Sequence, residues 1–390
     1  MRLLFVNGHM RIGGGEKSLL DLLTHLDYNK HQVDLLLTEG RGEYFDMLPP
    51  QVNVRVIETG RAYGSFGKTV LTNLGSGQLW AVYYRLILLL CHCFGKSALC
   101  LLRPVFGLKK RYDCAIAYRP GPCADIVAHT IRSRRRICWW HNGKVDYNPE
   151  GIRQVDETWR HFDHVVAVSH GCRQMLAEHF SYPTEKIVVI PNMIDTERIK
   201  QLAGDRSPYP DDGKVHILTV CRISPEKHLE NAILTTQSLI RDGIKNFTWY
   251  IIGDGPTKAS LEHLIEENKL SKYILLKGSI ANPYPYYLFA DIYVNTSYQE
   301  SQSLSVLEAM ALNTPCVVTE TIGTQGYCIN NVNCIIAQQK PEDLFQSVKT
   351  LLTSDSVHTQ KLTENAYDMV KESFTPKLIT QNIIQLLCLD

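Results

Sequence analysis

Short apolar runs recur along the whole chain, each followed by sequence with helical spacing, and this alternation leaves few folds open. Leu3–Val6, Gln32–Leu37, Val52–Ile57, Cys114–Ala117, Ile137–Trp140, His164–Val168 and Ile187–Ile190 read as strands of a first series. Val215–Val220, Thr248–Ile252, Ile274–Leu276, Ile292–Asn295 and Cys316–Thr319 read as a second. Helical patterns fall at His228–Arg241, Lys258–Asn268, Ser303–Leu312 and Pro341–Leu352. Continuous apolar strands separated by helices indicate parallel sheets covered on both faces. Between the series, Gln201–Gly213 is polar and turn-rich, as a linker would be. After Asp355 only helix-like sequence remains, ending in Leu378–Leu387. A chain of 390 residues fits two domains of roughly 150–200 each. The expectation is two doubly wound α/β domains facing across a cleft: 1–200, a linker at 201–213, 214–372, and a C-terminal helix in 373–390.

Charge divides unevenly between these halves. Up to Lys200 there are 26 Lys/Arg against 19 Asp/Glu, a balance of +7; beyond it 15 stand against 21, a balance of −6. One half is expected to face something anionic, although a nucleic-acid partner would call for far more basic sequence. Twelve cysteines lie scattered without a Cys-x-x-Cys pair, which suits reduced, buried thiols in a cytoplasmic protein. Only Leu3–Val6 is apolar before polar sequence begins, too short for a secretory leader, and no run reaches the ~18 residues of a spanning helix.

From Thr59 to Tyr112 there is no Asp or Glu, yet Arg61, Lys68, Arg85, Lys96, Arg103, Lys109, Lys110 and Arg111 are present. They alternate with Trp80, Tyr83, Leu86–Leu90, Phe94 and Phe106. Such a mixture over about 80–111 suits a helix lying in the interface of an anionic membrane. The other reading is a helical hairpin that covers its own sheet.

Chemistry concentrates in Glu300-Ser-Gln-Ser-Leu-Ser-Val-Leu-Glu308, which follows a strand and opens a helix. Free backbone N–H groups of that first turn can bind a phosphate. One carboxylate then lies on each side of it, able to accept from sugar hydroxyls; two incidental glutamates on a capped helix are the plainer reading. Arg222 and Lys227 leave the end of the first strand of the same domain, where ligands of parallel sheets bind. Two cations there suit a pyrophosphate. Gly253-Asp254-Gly255 ends another strand and permits close backbone approach.

In this order, Arg222, Lys227, the Gly253 turn and Glu300/Glu308 within Glu-Ala-Met-Ala-x-x-x-Pro resemble the C-terminal half of glycosyltransferase family 4, whose fold is GT-B. The N-terminal half matches as well, with Gly13-Gly14-Gly15-Glu16 after the first strand, Val168-Ser169 ending another, and Pro191-Asn192-x-x-Asp195 before the linker. The resemblance thus covers essentially the whole chain and implies two Rossmann-like domains, with the last helix returning to the first. It implies a retaining hexosyltransferase that moves a hexose or N-acetylhexosamine from a nucleotide sugar, with UDP favoured. The acceptor would be a saccharide hydroxyl, lipid-linked, in bacterial cell-surface polysaccharide assembly at the inner face of the membrane.

Carried over residue by residue, Arg222 and Lys227 would neutralise the donor diphosphate, Glu308 would hold the ribose, and Glu300 would meet the transferred sugar. The backbone at Gln302, Ser303, Leu304 and Ser305 would cover the phosphates, with Gly14 and Gly15 approaching from the other domain. His141, in Trp139-Trp140-His141-Asn142-Gly143, resembles the family's histidine near the reactive carbon; a core-edge turn is its plainer reading. No cofactor is implied, and with no Asp-x-Asp in the chain no metal is expected on the donor phosphates. The sequence departs from the family where Ser301-Gln302-Ser303 replaces the common Gly-Phe-Gly, and where Asn313 stands for Gly. Those departures bear on which sugar is held. A nucleotide-sugar 2-epimerase of the same fold, or a non-catalytic binding subunit, are the rival readings.

Overall fold

The computed structural model describes residues 1–106 and 111–388; Lys109 and Lys110 of the basic segment lie outside the described residues. The first sheet comprises β1 (Arg2–Asn7), β2 (Gln32–Leu37), β3 (Asn53–Val56), β4 (Tyr112–Ala117), β5 (Ser133–Trp140), β6 (His164–Ala167) and β7 (Ile187–Val189). The second comprises β8 (Val215–Val220), β9 (Phe247–Ile252), β10 (Ile274–Gly278), β11 (Ile292–Asn295), β12 (Cys316–Thr319) and β13 (Ile335–Ala337). Their orders, β3-β2-β1-β4-β5-β6-β7 and β10-β9-β8-β11-β12-β13, are the same pattern used twice, and the paired strands run parallel. Each order reverses direction once, between β1 and β4 and between β8 and β11. At such a switch point the flanking loops part and leave a crevice at the carboxyl ends of the strands.

Side-chain alternation sorts each strand of the second sheet between two cores. Leu218, Tyr250, Tyr293 and Val318 pack into one, while their neighbours Ile217, Trp249, Val294 and Val317 pack into the other. That is the period-2 geometry of a sheet with helices on both faces. The first sheet is likewise buried, with Leu3–Val6 and Ala115–Ala117 essentially without exposure.

The C-terminal helix Pro376–Cys388 inserts Ile379, Ile383, Leu386 and Leu387 into the first core. The helix Thr196–Ala203 runs across position 200 and packs Ile199 and Ala203 into the second. The turn-rich segment after it is anchored by Tyr209, whose hydroxyl donates to the Tyr286 carbonyl at 2.7 Å.

Three differences from the sequence reading have local causes. β13 is only three residues long and sits at the sheet edge after a turn-rich stretch, so no apolar run announces it. β5 begins at Ser133, because Ser133–Arg136 are partly exposed and polar while still pairing with β4. The basic segment makes a layer with two faces. Ala81, Tyr84 and Ile87 of helix Leu79–Phe94 are buried on the first domain, while Leu79, Tyr83, Leu86, Leu90 and Phe94 stay exposed.

Candidate active site

The second domain builds one wall of the cleft from its switch point. Gly253 has φ +146°, and a Cβ there would lie 1.8 Å from the Cys221 carbonyl oxygen. Only glycine allows this approach, and it holds the loop after β8 that carries Arg222 and Lys227. Arg222 is exposed, whereas the Lys227 ammonium donates to Glu300 Oε1 at 2.7 Å. Burial works against the charge on Lys227, but the adjacent Glu300 carboxylate outweighs it and raises the ammonium's pKa above its ordinary value. Ser297 Oγ at 2.8 Å and Asn295 Nδ2 at 3.4 Å also donate to Glu300 Oε1. Oε2 has no such donor among the described residues, so one oxygen is fixed and the other remains able to accept.

The backbone of Glu300 is pressed from two sides. A Cβ on Gly143 of the first domain would lie 2.7 Å from its carbonyl carbon, and one on Gly323 would lie 2.5 Å from its carbonyl oxygen. Helix Leu304–Ala311 starts four residues on, with Ser303 at its N-cap, and ends where Asn313 takes φ +55°. Asn tolerates this left-handed conformation better than most residues. Glu308, in the second turn, is held by Tyr284 OH on Oε1 at 3.3 Å and Tyr287 OH on Oε2 at 3.2 Å.

Opposite this helix stands helix Gly14–His25 of the first domain. A Cβ on Gly14 would touch Leu304 Cδ1 at 3.8 Å, and Lys17 Nζ lies 3.1 Å from Glu308 Oε1. Two helix N-termini therefore converge on one region of the cleft, and their unpaired N–H groups and dipoles favour an anion there.

His141 closes the same region from the end of β5. A Cβ on Gly15 would lie 3.7 Å from its ring, and Tyr118 packs on its other side at 4.8 Å between centroids. Burial, with a smaller contribution from the charge of Arg119, lowers its pKa to about 3, so the imidazole is neutral at ordinary pH. Its Nε2 is buried without a hydrogen-bond partner among the described residues. Tyr118 OH meets Ser18 Oγ at 2.8 Å, Ser18 donates to Asn192 Oδ1 at 2.5 Å, and the Asn192 N–H donates to Gln302 Oε1 at 2.6 Å. A continuous hydrogen-bonded chain thus joins the histidine side of the cleft to the loop before the second domain's helix.

Gly14, Gly15 and His141 come together with Lys227, Glu300, Gln302, Ser303, Leu304, Ser305 and Glu308 around one cleft. Two candidates behave differently from a simple contact reading. Gly253 is used against the Cys221 carbonyl, beneath the loop of cations, and the Gln302 side chain is turned to Asn192. Sequence reasoning missed Lys17, Tyr284, Tyr287 and the close approach of Gly143. Lys17 follows the glycine run at helical spacing from Gly14, a usable signal. The tyrosines look like ordinary core aromatics until Glu308 is placed between them.

Comparison with known proteins agrees with this architecture. Residues 12–198 match the family model described as Glycosyltransferase Family 4, and residues 205–369 match that described as Glycosyl transferases group 1. The chain is 26% identical over 216 residues to N-acetylgalactosamine-N,N'-diacetylbacillosaminyl-diphospho-undecaprenol 4-alpha-N-acetylgalactosaminyltransferase of Campylobacter jejuni, covering 54% of this chain and 57% of that protein. It is 36% identical over 120 residues to alpha-monoglucosyldiacylglycerol synthase of Acholeplasma laidlawii, covering 30% of each. The chain thus spans about half or less of the length of the curated relatives it matches. Among solved structures, Alr3699/HepE of Anabaena in complex with UDP-glucose superposes with a TM-score of 0.74 at 18% identity, covering 99% of both chains. With one model matched to each half, in the order in which the two domains stand, the chain belongs to glycosyltransferase family 4, the group 1 glycosyl transferases.

Proposed function

We propose that this protein is a retaining glycosyltransferase that moves a hexose or N-acetylhexosamine from a UDP-sugar to a hydroxyl of a lipid-linked saccharide, without a metal ion. The observation that carries the reading is the pair Glu300 and Glu308 on either side of a helix N-terminus, with Lys227 fixed on Glu300 and the first domain's helix N-terminus opposite. In this reading the diphosphate lies between the helix ends and meets Arg222 and Lys227. Glu308 takes the ribose hydroxyls, and Glu300 Oε2 takes hydroxyls of the sugar. The bond from the sugar's anomeric carbon to the phosphate oxygen breaks, and the acceptor oxygen bonds to that carbon from the same face. The acceptor proton passes to the departing phosphate. Preorganised cations and N–H groups stabilise the charge that develops there. Because His141 is neutral, it can hydrogen-bond a sugar hydroxyl through Nε2 without repelling the positive charge that builds at the anomeric carbon. UDP in the Anabaena neighbour and the lipid-bearing names of the two relatives support the donor and acceptor classes.

The outer face of helix Leu79–Phe94 supports work at a membrane. Leu79 and Phe94, at its two ends, are 66% and 71% exposed, and Tyr83, Leu86 and Leu90 continue the stripe between them. Several neighbouring cations are engaged within the protein. Lys96 pairs with Asp125 at 2.8 Å, Arg61 with Glu58 at 2.7 Å, and Arg85 donates to the Gly64 carbonyl. Among the described residues no helix is long and apolar enough to cross a bilayer. Shallow insertion of the apolar stripe at the cytoplasmic surface, with charge secondary, is the mode this arrangement favours. It would bring the first domain over a lipid-linked saccharide in surface polysaccharide assembly.

The deciding experiment screens UDP- and GDP-sugars for protection against thermal unfolding, then follows the bound one by NMR with a saccharide acceptor. Release of UDP with an anomerically retained product is expected. Epimerised sugar without transfer, or binding without turnover, would overturn the reading.

A further inference from the structure

Lys17 has a place in the cleft that the donor reading above does not use. Its Nζ lies 3.1 Å from Glu308 Oε1 and 3.1 Å from Asp21 Oδ2, so an ammonium from the first domain bridges a carboxylate of its own helix and one of the second domain. Burial opposes its charge, yet Glu308 and Asp21 together hold its pKa well above the ordinary value. Gly14 faces Leu304 one turn earlier on both helices, so Lys17 also stands at the point where the two N-termini converge.

Glu308 is already crowded. An ionised carboxylate accepts at about four lone-pair positions. Tyr284, Tyr287 and Lys17 take three of them. A ribose diol needs two, so one occupant must leave. Tyr287 is fully buried and Tyr284 nearly so, both within the second domain's core. Lys17 comes instead from the far wall of the cleft on a flexible stem, and Asp21 gives its charge a second anchor. It is the partner that can be exchanged.

We infer that Lys17 is a donor-exchanged positioning residue: it pairs with Glu308, cedes that carboxylate to the ribose when a donor binds, and carries its charge to the donor diphosphate. The inference rests on the donor reading above and deepens it. Lys17 competes with a nucleoside and assists a nucleoside diphosphate, so its removal acts with opposite signs on two ligands that differ only in phosphate. It also ties occupation of the nucleotide site to the contact between domains.

Titration of uridine and of UDP into wild type, Lys17→Ala and Lys17→Met tests this by calorimetry or NMR, without any turnover. Met keeps the apolar stem, which guards against a variant that merely misfolds. In both variants uridine is expected to bind about threefold tighter or more, and UDP about tenfold weaker, the size of one lost charge-assisted contact. Equal weakening of both ligands would make Lys17 a structural residue, and no change in either would remove it from the site; each result overturns the inference alone. Wild type that binds neither ligand would overturn the donor reading, and the inference with it.

Discussion

The two domains use one strand order, and they differ most in the connection that crosses the switch point. In the first domain β3 ends at Val56 and β4 starts at Tyr112, leaving 57–111 for the crossover; in the second, β10 ends at Gly278 and β11 starts at Ile292, leaving 279–291. The short crossover contributes helix Tyr284–Leu288, whose Tyr284 and Tyr287 grip Glu308 from inside the domain. The long one contributes a helical layer whose apolar stripe is exposed to solvent. The same topological step thus builds the grip on Glu308 in one half and an exposed apolar surface in the other. The second domain's carboxylates sit at the cleft with their partners in place, and the first domain brings to them glycine backbone, a neutral histidine and the Lys17 ammonium backed by Asp21.

The comparison is tested hardest by removing the second domain's fixed cation. Lys227→Ala leaves Glu300 buried without its counter-charge and, in the proposed reading, takes away a diphosphate contact. Transfer measured as kcat/KM should fall by roughly a hundred- to a thousandfold, the scale of losing one preorganised electrostatic group. A loss below tenfold would mean that the donor is held chiefly by the first domain.

The two carboxylates should then separate. Glu308→Ala is expected to weaken nucleoside diphosphate binding by about ten- to a hundredfold, because hydrogen bonds to a charged group are worth about 1.5–3 kcal/mol. Glu300→Ala is expected to lower turnover while leaving that affinity nearly unchanged. Unchanged affinity in Glu308→Ala would sever the short crossover from the nucleotide.

How much of this was legible from sequence depends on how local each feature is. The strands could be read because β1, β9 and their neighbours are buried on both faces, which forces continuous apolar runs. The cleft's own side chains could be read because Glu300 and Glu308 lie on one turn and helix. What could not be read are pairings between distant segments, such as Lys17 with Glu308 or Asn192 with Gln302, which arise only when the domains face each other. The outer stripe of the long crossover was visible as composition. Which of its cations are engaged internally depends on the fold, since Asp125 lies well outside the segment that Lys96 belongs to.

The long crossover can be tested separately from the cleft. Leu86→Asp with Leu90→Asp changes two exposed side chains and no buried one. Burying a Leu contributes about 1.5–3 kcal/mol, so the pair should reduce sedimentation with lipid vesicles by at least about tenfold. Transfer to a soluble acceptor should be preserved. High salt should weaken vesicle binding only mildly, because Lys96 and Arg61 are already paired. Binding that salt abolishes, and that the double variant retains, would assign the surface to charge instead of the apolar stripe.

The smallest expected effect is that of a chelator. A donor diphosphate brings two or more negative charges into the cleft, and something there must balance them. A divalent metal is one solution and needs carboxylates to hold it; the usual Asp-x-Asp is missing from this chain. Of the second domain's two cleft carboxylates, Glu300 is turned to Lys227 and Glu308 to Lys17 and two phenols. Glu300 thus already has an ammonium partner, and Glu308, once Lys17 turns to the diphosphate, keeps its two phenols and takes the ribose. In the proposed reading Arg222, Lys227 and the two helix N-termini, one from each domain, would provide the opposing charge. Transfer rates with excess EDTA should stay within about twofold of those with added magnesium, since a catalytic ion would account for several kcal/mol of transition-state stabilisation. Activity lost in EDTA and restored by magnesium or manganese would show that the cations of the second domain do not suffice, and that an ion completes what the side chains begin.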